Sequence, residues 1–144
     1  MFIGEYSHNL DSKGRIIIPA KFRDELHNNF ILTKGFDGCL TIYSLSQWEK
    51  LFEEINKLPT TKKATREYVR MLAGNASECV LDNQGRIAIP SYLAKPAGIE
   101  KECSIIGVND HIEIWDKATW ENYYLQASEN FEEVAENLNE LIHD

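Results

Sequence analysis

Long hydrophobic runs, paired cysteines and clustered histidines are all missing from this sequence. No stretch approaches the ~20 apolar residues needed to span a bilayer, so no membrane-spanning helix and no membrane partner are expected. The start, Met1-Phe2-Ile3-Gly4-Glu5, lacks the basic and then apolar profile of a secretory signal, and a cytoplasmic location is expected. The three cysteines, Cys39, Cys79 and Cys103, form no C-x-x-C pair. Each sits in an apolar stretch, which predicts buried core thiols. His8, His27, His111 and His143 stand far apart, and metal ligation needs closely spaced donors, so no metal site is read. There is no G-x-S-x-G, no phosphate-cradling glycine-rich loop and no plausible Cys/His pair. The expectation is a protein that is not an enzyme and carries no cofactor.

The formal net charge of −8 argues at first against a polyanionic partner. Its distribution points the other way. Residues 1–76 carry 11 basic and 9 acidic groups, net +2, whereas residues 77–144 carry 4 basic and 14 acidic groups, net −10. Attraction to phosphate depends on local potential rather than on the chain total.

The main organisational fact is an internal repeat. Asp11-Ser-Lys-Gly-Arg-Ile-Ile-Ile-Pro19 returns as Asp82-Asn-Gln-Gly-Arg-Ile-Ala-Ile-Pro90, with six of nine positions kept at an offset of 71. Ile42-Tyr43 and Trp48 return as Ile114-Trp115 and Trp120 at an offset of 72, the mark of a one-residue gain in a loop. Each copy reads as strand, tight turn, strand, short helix, strand, strand, helix. In the first, Tyr6, His8 and Leu10 alternate with polar neighbours, which suits a half-buried strand. Arg15–Ile18 is β-branched, and Pro19 fits the first position of a short helix presenting Phe22 and Leu26. Phe30–Thr33 and Leu40–Tyr43 form a hairpin around Gly35 and Gly38. Ser46-Gln-Trp-Glu49 reads as a capping box, followed at helical spacing by Trp48, Leu51, Phe52, Ile55 and Leu58.

Pro59 ends that helix, and a further helix over about Lys62–Ala73 is expected to fill the link. The second copy has strands near Ser77–Leu81, Arg86–Ile89, Cys103–Val108 and His111–Trp115, with Pro90–Ala94 as its short helix. Trp120, Tyr124, Ala127, Phe131, Val134, Leu138 and Leu141 then follow at alternating spacings of four and three, a heptad seam. Such a seam either packs on its own domain or joins subunits. The resulting division is 1–60 for the first repeat, 61–76 for the helical link, 77–123 for the second repeat and 124–144 for an acidic C-terminal helix.

Two half-units too small to stand alone predict one mixed β/α, pseudo-dimeric barrel with flanking helices, its two tight turns on one face. At each turn an Asp, four residues ahead of an Arg, is followed by a Gly that accepts positive φ. A turn needs the Asp and the Gly but has no reason to keep an Arg in both copies. The planar guanidinium fork matches phosphate and the O6/N7 edge of guanine, and a neighbouring carboxylate would hold it in orientation. Lys13 and Lys21 add charge near the first turn. The second has Asn83 and Gln84 in the turn and Ala94 where the first copy has Arg23, which makes the amino-terminal turn the expected main source of affinity. Lys62, Arg66 and Arg70 would form a stripe on the linking helix, with Lys63 beside it; this is either a solvated face or an auxiliary phosphate contact.

Met1-Phe2-x-Gly4, Leu10-Asp11-x-Lys13-Gly14-Arg15, Pro19-x-x-Phe22-Arg23, Leu81-Asp82-x-x-Gly85-Arg86, and Gly107 followed by Glu113-x-Trp115 and Trp120 resemble the MraZ family over nearly the whole chain. That resemblance implies tandem AbrB/SpoVT-type swapped-hairpin domains (a double-ψ-like, pseudo-dimeric barrel). It also implies a nucleoid-associated regulator of the bacterial division and cell-wall gene cluster. The expected partners are double-stranded DNA, in the form of direct repeats in its own promoter, and further copies of the chain in a ring. Carried over position by position, the DNA-contacting motif falls on Asp11 and Arg15 and on Asp82 and Arg86, and Lys13 joins them as the DNA-binding charge of the first turn. Lys21, Arg23, Lys62, Lys63, Arg66 and Arg70 are auxiliary candidates. An antitoxin-like protein-interaction module on the same barrel is the alternative.

Overall fold

The computed structural model describes residues 1–143. In chain order it runs β1 (Phe2–Asn9), β2 (Arg15–Ile17), α1 (Ala20–Leu26), β3 (Asn29–Lys34), β4 (Leu40–Ser44), α2 (Leu45–Ile55) and α3 (Lys63–Gly74). The second repeat follows as β5 (Ser77–Val80), β6 (Arg86–Ala88), α4 (Ser91–Ala94), β7 (Glu102–Asn109), β8 (Ile112–Asp116) and α5 (Lys117–Glu129), and the chain ends in α6 (Phe131–His143).

Six strands form one sheet in the order β1-β7-β8-β4-β3-β5, and β2 pairs with β6 in a separate two-stranded ribbon. All pairings are antiparallel. Exchanging the repeats, so that β1 becomes β5, β3 becomes β7 and β4 becomes β8, reads the sheet order backwards, which is the signature of a two-fold pseudo-axis. The repeats are interlaced: β1 lies on β7 of the second repeat, and β5 lies on β3 of the first. The expected closed barrel is not what forms. Among the described residues strands β1 and β5 end the six-stranded sheet without a further partner, and the β2–β6 ribbon is a separate piece rather than a closing strand. Three-residue ribbon strands are too short to bridge both edges.

The core draws on equivalent positions of both copies. Ile16 and Ile87 face each other in the ribbon, and with Ile18, Ile89, Phe22, Leu93, Leu40, Ile112, Ile42 and Ile114 they are buried in one cluster. The alternation in β2 and β6 turns one isoleucine of each inward and leaves its flanking residues outward. Phe2 and Tyr6 of β1 meet the Phe22 ring edge-on, at 5.5 and 5.3 Å between centroids, which seats α1 under the sheet. Cys39, Cys79 and Cys103 are buried free thiols as expected, their pKa values pushed up to about 12, 11 and 11 by burial.

Three local expectations need correction. Helix α2 starts two residues early: Ser44 is its N-cap and takes the Gln47 N–H at 3.3 Å, so the box is Ser44-x-x-Gln47, and Leu58 lies past the helix end. Pro19 and Pro90 are N-caps rather than first helical residues. The C-terminal segment is two helices, broken at Asn130, not one. Ser128 Oγ–H donates to the Tyr124 carbonyl and Asn130 Nδ2–H to that of Gln126, local bonds that compete with helix continuation.

Helix α5 is docked where Trp120 meets Trp115 and donates its Nε1–H to Glu5 of β1 at 2.6 Å. Beyond that point the seam does not pack on its own domain. Tyr124, Phe131, Val134, Leu138 and Leu141 are all at least half exposed, Phe131 at 72 %. Among the described residues no helix is long and apolar enough to cross a membrane.

The turn between β7 and β8 carries a titratable network. His111 lies between Asp110 Oδ1 at 2.7 Å and Glu113 Oε2 at 3.1 Å, while Trp115 donates to the other Glu113 oxygen. The hydrogen bond to Glu113, and secondarily that to Asp110, raises the His111 pKa above its ordinary 6.5. A raised folded-state pKa contributes stability that is complete below about pH 6.5 and lost as pH rises through the folded value. Thermal unfolding should therefore show a midpoint that falls modestly as pH rises above about 6.5. His111→Gln should flatten that dependence, and a variant with the same slope as the native chain would contradict the assignment.

Candidate nucleic-acid interface

Both tight turns are built the same way. In the first, the Asp11 backbone N–H donates to the Arg15 carbonyl at 2.8 Å and Gly14 N–H donates to the Asp11 carbonyl at 3.0 Å. The Asp11 side chain locks the loop from inside: Oδ1 accepts the backbone N–H of Lys13 and of Arg15, each at 2.9 Å, and Oδ2 accepts Arg15 Nε–H at 2.8 Å. In the second, Asp82 Oδ1 accepts the N–H of Gln84 and of Arg86 at 2.9 Å, and Oδ2 accepts Arg86 Nε–H at 2.8 Å. Gly14 and Gly85 both take φ +75°, the left-handed region in which a side chain is strained.

Each aspartate thus has two jobs, and each arginine commits its Nε edge to its own turn. Among the described residues the terminal Nη groups of Arg15 take no hydrogen bond, whereas Arg86 Nη1 lies toward Asp11. A fork already held in one orientation loses less conformational entropy on docking. The turn N–H groups, that of Arg15 foremost in the first turn and that of Arg86 in the second, hold both aspartate carboxyls below the usual carboxylate range.

The two turns are also joined. The N–H of Ile18 donates to the Gly85 carbonyl at 2.9 Å, and the N–H of Ile89 donates to the Gly14 carbonyl at 2.8 Å. Arg86 Nη1 stands 3.8 Å from Asp11 Oδ2, so one guanidinium touches the carboxylates of both turns. The site is therefore a single rigid face with two arginines, two aspartates and the exposed Lys13. A cavity of about 300 Å³, walled by Phe36, Tyr43, Tyr68 and His111, lies apart from it.

Other candidates separate clearly. Lys21 is exposed on α1 and makes no polar contact among the described residues. Arg23, also on α1, donates Nε–H to the Ile18 carbonyl at 2.9 Å, and its guanidinium lies over Gly85 of the second turn: a Cβ added there would meet the guanidinium atoms within 2.7 Å. Nothing in the sequence marks this placement, because it depends on β2 pairing with β6. Helix α3 is set apart. Its Leu72 carbonyl takes the Thr33 hydroxyl, and Tyr68 stacks on Phe36, at the opposite end of β3 from the Asp82 turn, which follows the strand paired to Asn29. Arg66 bonds the carbonyls of Thr60 and Thr61, and Lys63 faces Glu67 at 3.6 Å. The structure does not bring Lys62, Lys63, Arg66 or Arg70 to the paired turns.

Similarity to known proteins adds to this geometry. A family model described as "MraZ protein, putative antitoxin-like" matches twice, over residues 1–71 and 72–141. The chain is 50% identical over 138 residues to a protein of Pediococcus pentosaceus named "Transcriptional regulator MraZ", covering 96% of each chain.

Proposed function

The chain belongs to the MraZ family, and from that premise and the paired turns we propose that it is a transcriptional regulator that binds specific double-stranded DNA. The observation that carries this reading is the duplicated Asp-x-x-Gly-Arg turn, with each Arg Nε clamped by its Asp and the two turns joined to each other by backbone hydrogen bonds. A guanidinium fork matches guanine O6 and N7 in the major groove, and Lys13 supplies charge for the adjoining phosphates. The interlaced sheet supports a tandem swapped-hairpin, AbrB/SpoVT-type architecture, with the functional division at 1–60, 61–76, 77–123 and 124–144.

The same reading extends to direct repeats in the chain's own promoter, upstream of division and cell-wall genes, bound by a ring of copies in the nucleoid. Support for assembly comes from the exposed apolar stripe of α5 and α6, which the single chain leaves uncovered. Charging it with Phe131→Glu and Leu138→Glu should reduce the mass seen by sedimentation while leaving the helix and sheet content seen by circular dichroism unchanged, because neither side chain is buried within its own chain. Unchanged mass would move assembly to another surface. The reading as a whole is tested by selecting bound fragments from the source genome. Recovery of a few promoter fragments with repeated motifs is expected. No enrichment, together with a stoichiometric protein partner in a pull-down, would favour the antitoxin-like alternative.

A further inference from the structure

We infer that Arg23 is the phosphate-contacting cation of the second turn, supplied by the first repeat across the pseudo-axis. The inference rests on the DNA-binding reading above and deepens it. By sequence the second turn is the poorer one, with Asn83 and Gln84 where the first has Ser12 and Lys13, and with Ala94 at the position equivalent to Arg23. The fold redistributes these charges. Strand β2 pairs with β6, so the helix that follows β2 is carried over the turn that precedes β6. There Arg23 is fixed by the Ile18 carbonyl, whose own N–H is bonded to the Gly85 carbonyl. Gly85 leaves room for the guanidinium by having no side chain.

At the first turn the equivalent space is open. A Cβ on Gly14 would meet only the Ile89 carbonyl oxygen, at 3.6 Å, and the equivalent Ala94 is buried in the core. Each turn therefore presents two cations, Arg15 with Lys13 and Arg86 with Arg23, but they are arranged differently. The Lys13 side chain is borne on the turn itself and exposed, whereas Arg23 is clamped from the neighbouring helix. A nearly two-fold protein with unequal halves fits a site that has direction, as a direct repeat does, better than a palindrome.

The test compares Arg23→Gln and Arg23→Lys with the native full-length chain on a genome-selected duplex and on a random duplex of equal length. Because a phosphate contact carries no sequence information, Arg23→Gln should weaken both duplexes by a similar factor, about 5–10-fold, and make the slope of log K against log salt shallower by about 0.9 per binding unit. Arg23→Lys keeps the charge and should restore most of the slope; this also separates the role from a merely structural one, since both variants lose the guanidinium bond to Ile18. Combined with Arg86→Ala, Arg23→Gln should cost less than the product of the two single losses, because both serve one turn. Combined with Arg15→Ala the losses should multiply. Native affinity and slope in Arg23→Gln, no rescue by lysine, or coupling to Arg15 rather than Arg86 would each overturn the inference. If Arg15→Ala and Arg86→Ala also bind as the native chain does, the DNA-binding reading itself has failed. If those two lose affinity and Arg23→Gln does not, only the role of Arg23 is lost.

Discussion

Replacing Arg15 and Arg86 together by alanine is expected to erase discrimination between the operator and random DNA. Each bidentate contact to guanine contributes about 1–3 kcal/mol of specificity, roughly a 5- to 150-fold effect apiece. The two losses need not be additive, because Arg86 also approaches Asp11 at 3.8 Å and the turns share backbone hydrogen bonds. Removing Arg15 leaves Asp11 with its backbone donors from positions 13 and 15, so the turn should keep its shape. Circular dichroism and the unfolding midpoint should accordingly change little. Arg15→Lys is the sharper control: charge is retained while the fork is not, so affinity for random DNA should persist and selectivity should fall. Titration of operator and random duplexes at one fixed salt concentration checks all three variants.

Spacing between operator repeats should matter as much. A single face with four cations on a chain of net charge −8 makes few phosphate contacts, so one isolated repeat should bind weakly. If copies assemble into a ring, a second repeat converts the next contact into an intramolecular one, worth about 10²–10⁴-fold without any new contact type. The gain depends on phase. Identical faces on one side of an assembly must meet repeats on one side of the duplex, which requires spacing near a helical turn, about 10 bp, or a multiple. Inserting about half a turn between two repeats should remove most of the gain although each repeat is intact. Equal affinities for the two spacings would mean that copies bind independently.

The parts of this fold that were legible in the sequence are those governed by short-range chemistry. The repeat, the Asp-x-x-Gly-Arg turns and the β-branched strands that follow them can be read from spacing and residue type, and they stand where expected. What could not be read is who pairs with whom. The exchange of β1 and β5 between repeats and the open edges of the sheet depend on contacts between residues some 45 to 107 positions apart. Local periodicity carries no information on those. Arg23 shows the functional consequence: its type hinted at phosphate, but its place over Gly85 exists only once β2 lies on β6. Helix ends failed for a different reason. Ser44-x-x-Gln47 and Ser46-x-x-Glu49 are both acceptable boxes, and the choice between them was made by where β4 stops. The heptad seam runs on through Ser128 and Asn130, and their side-chain bonds to the preceding turn broke a helix that its apolar spacing alone would have continued.

The claim that the two turns read DNA is tested most directly by guanine N7 methylation protection on the operator, comparing the native chain with Arg15→Ala and Arg86→Ala at concentrations that saturate each. The native chain should protect guanines at two positions within each repeat, both in the major groove, where N7 is exposed. Arg15→Ala should lose protection at one of those positions and Arg86→Ala at the other, with the phosphate footprint unchanged. A protection pattern identical in all three proteins, or one confined to the minor groove, would contradict the account.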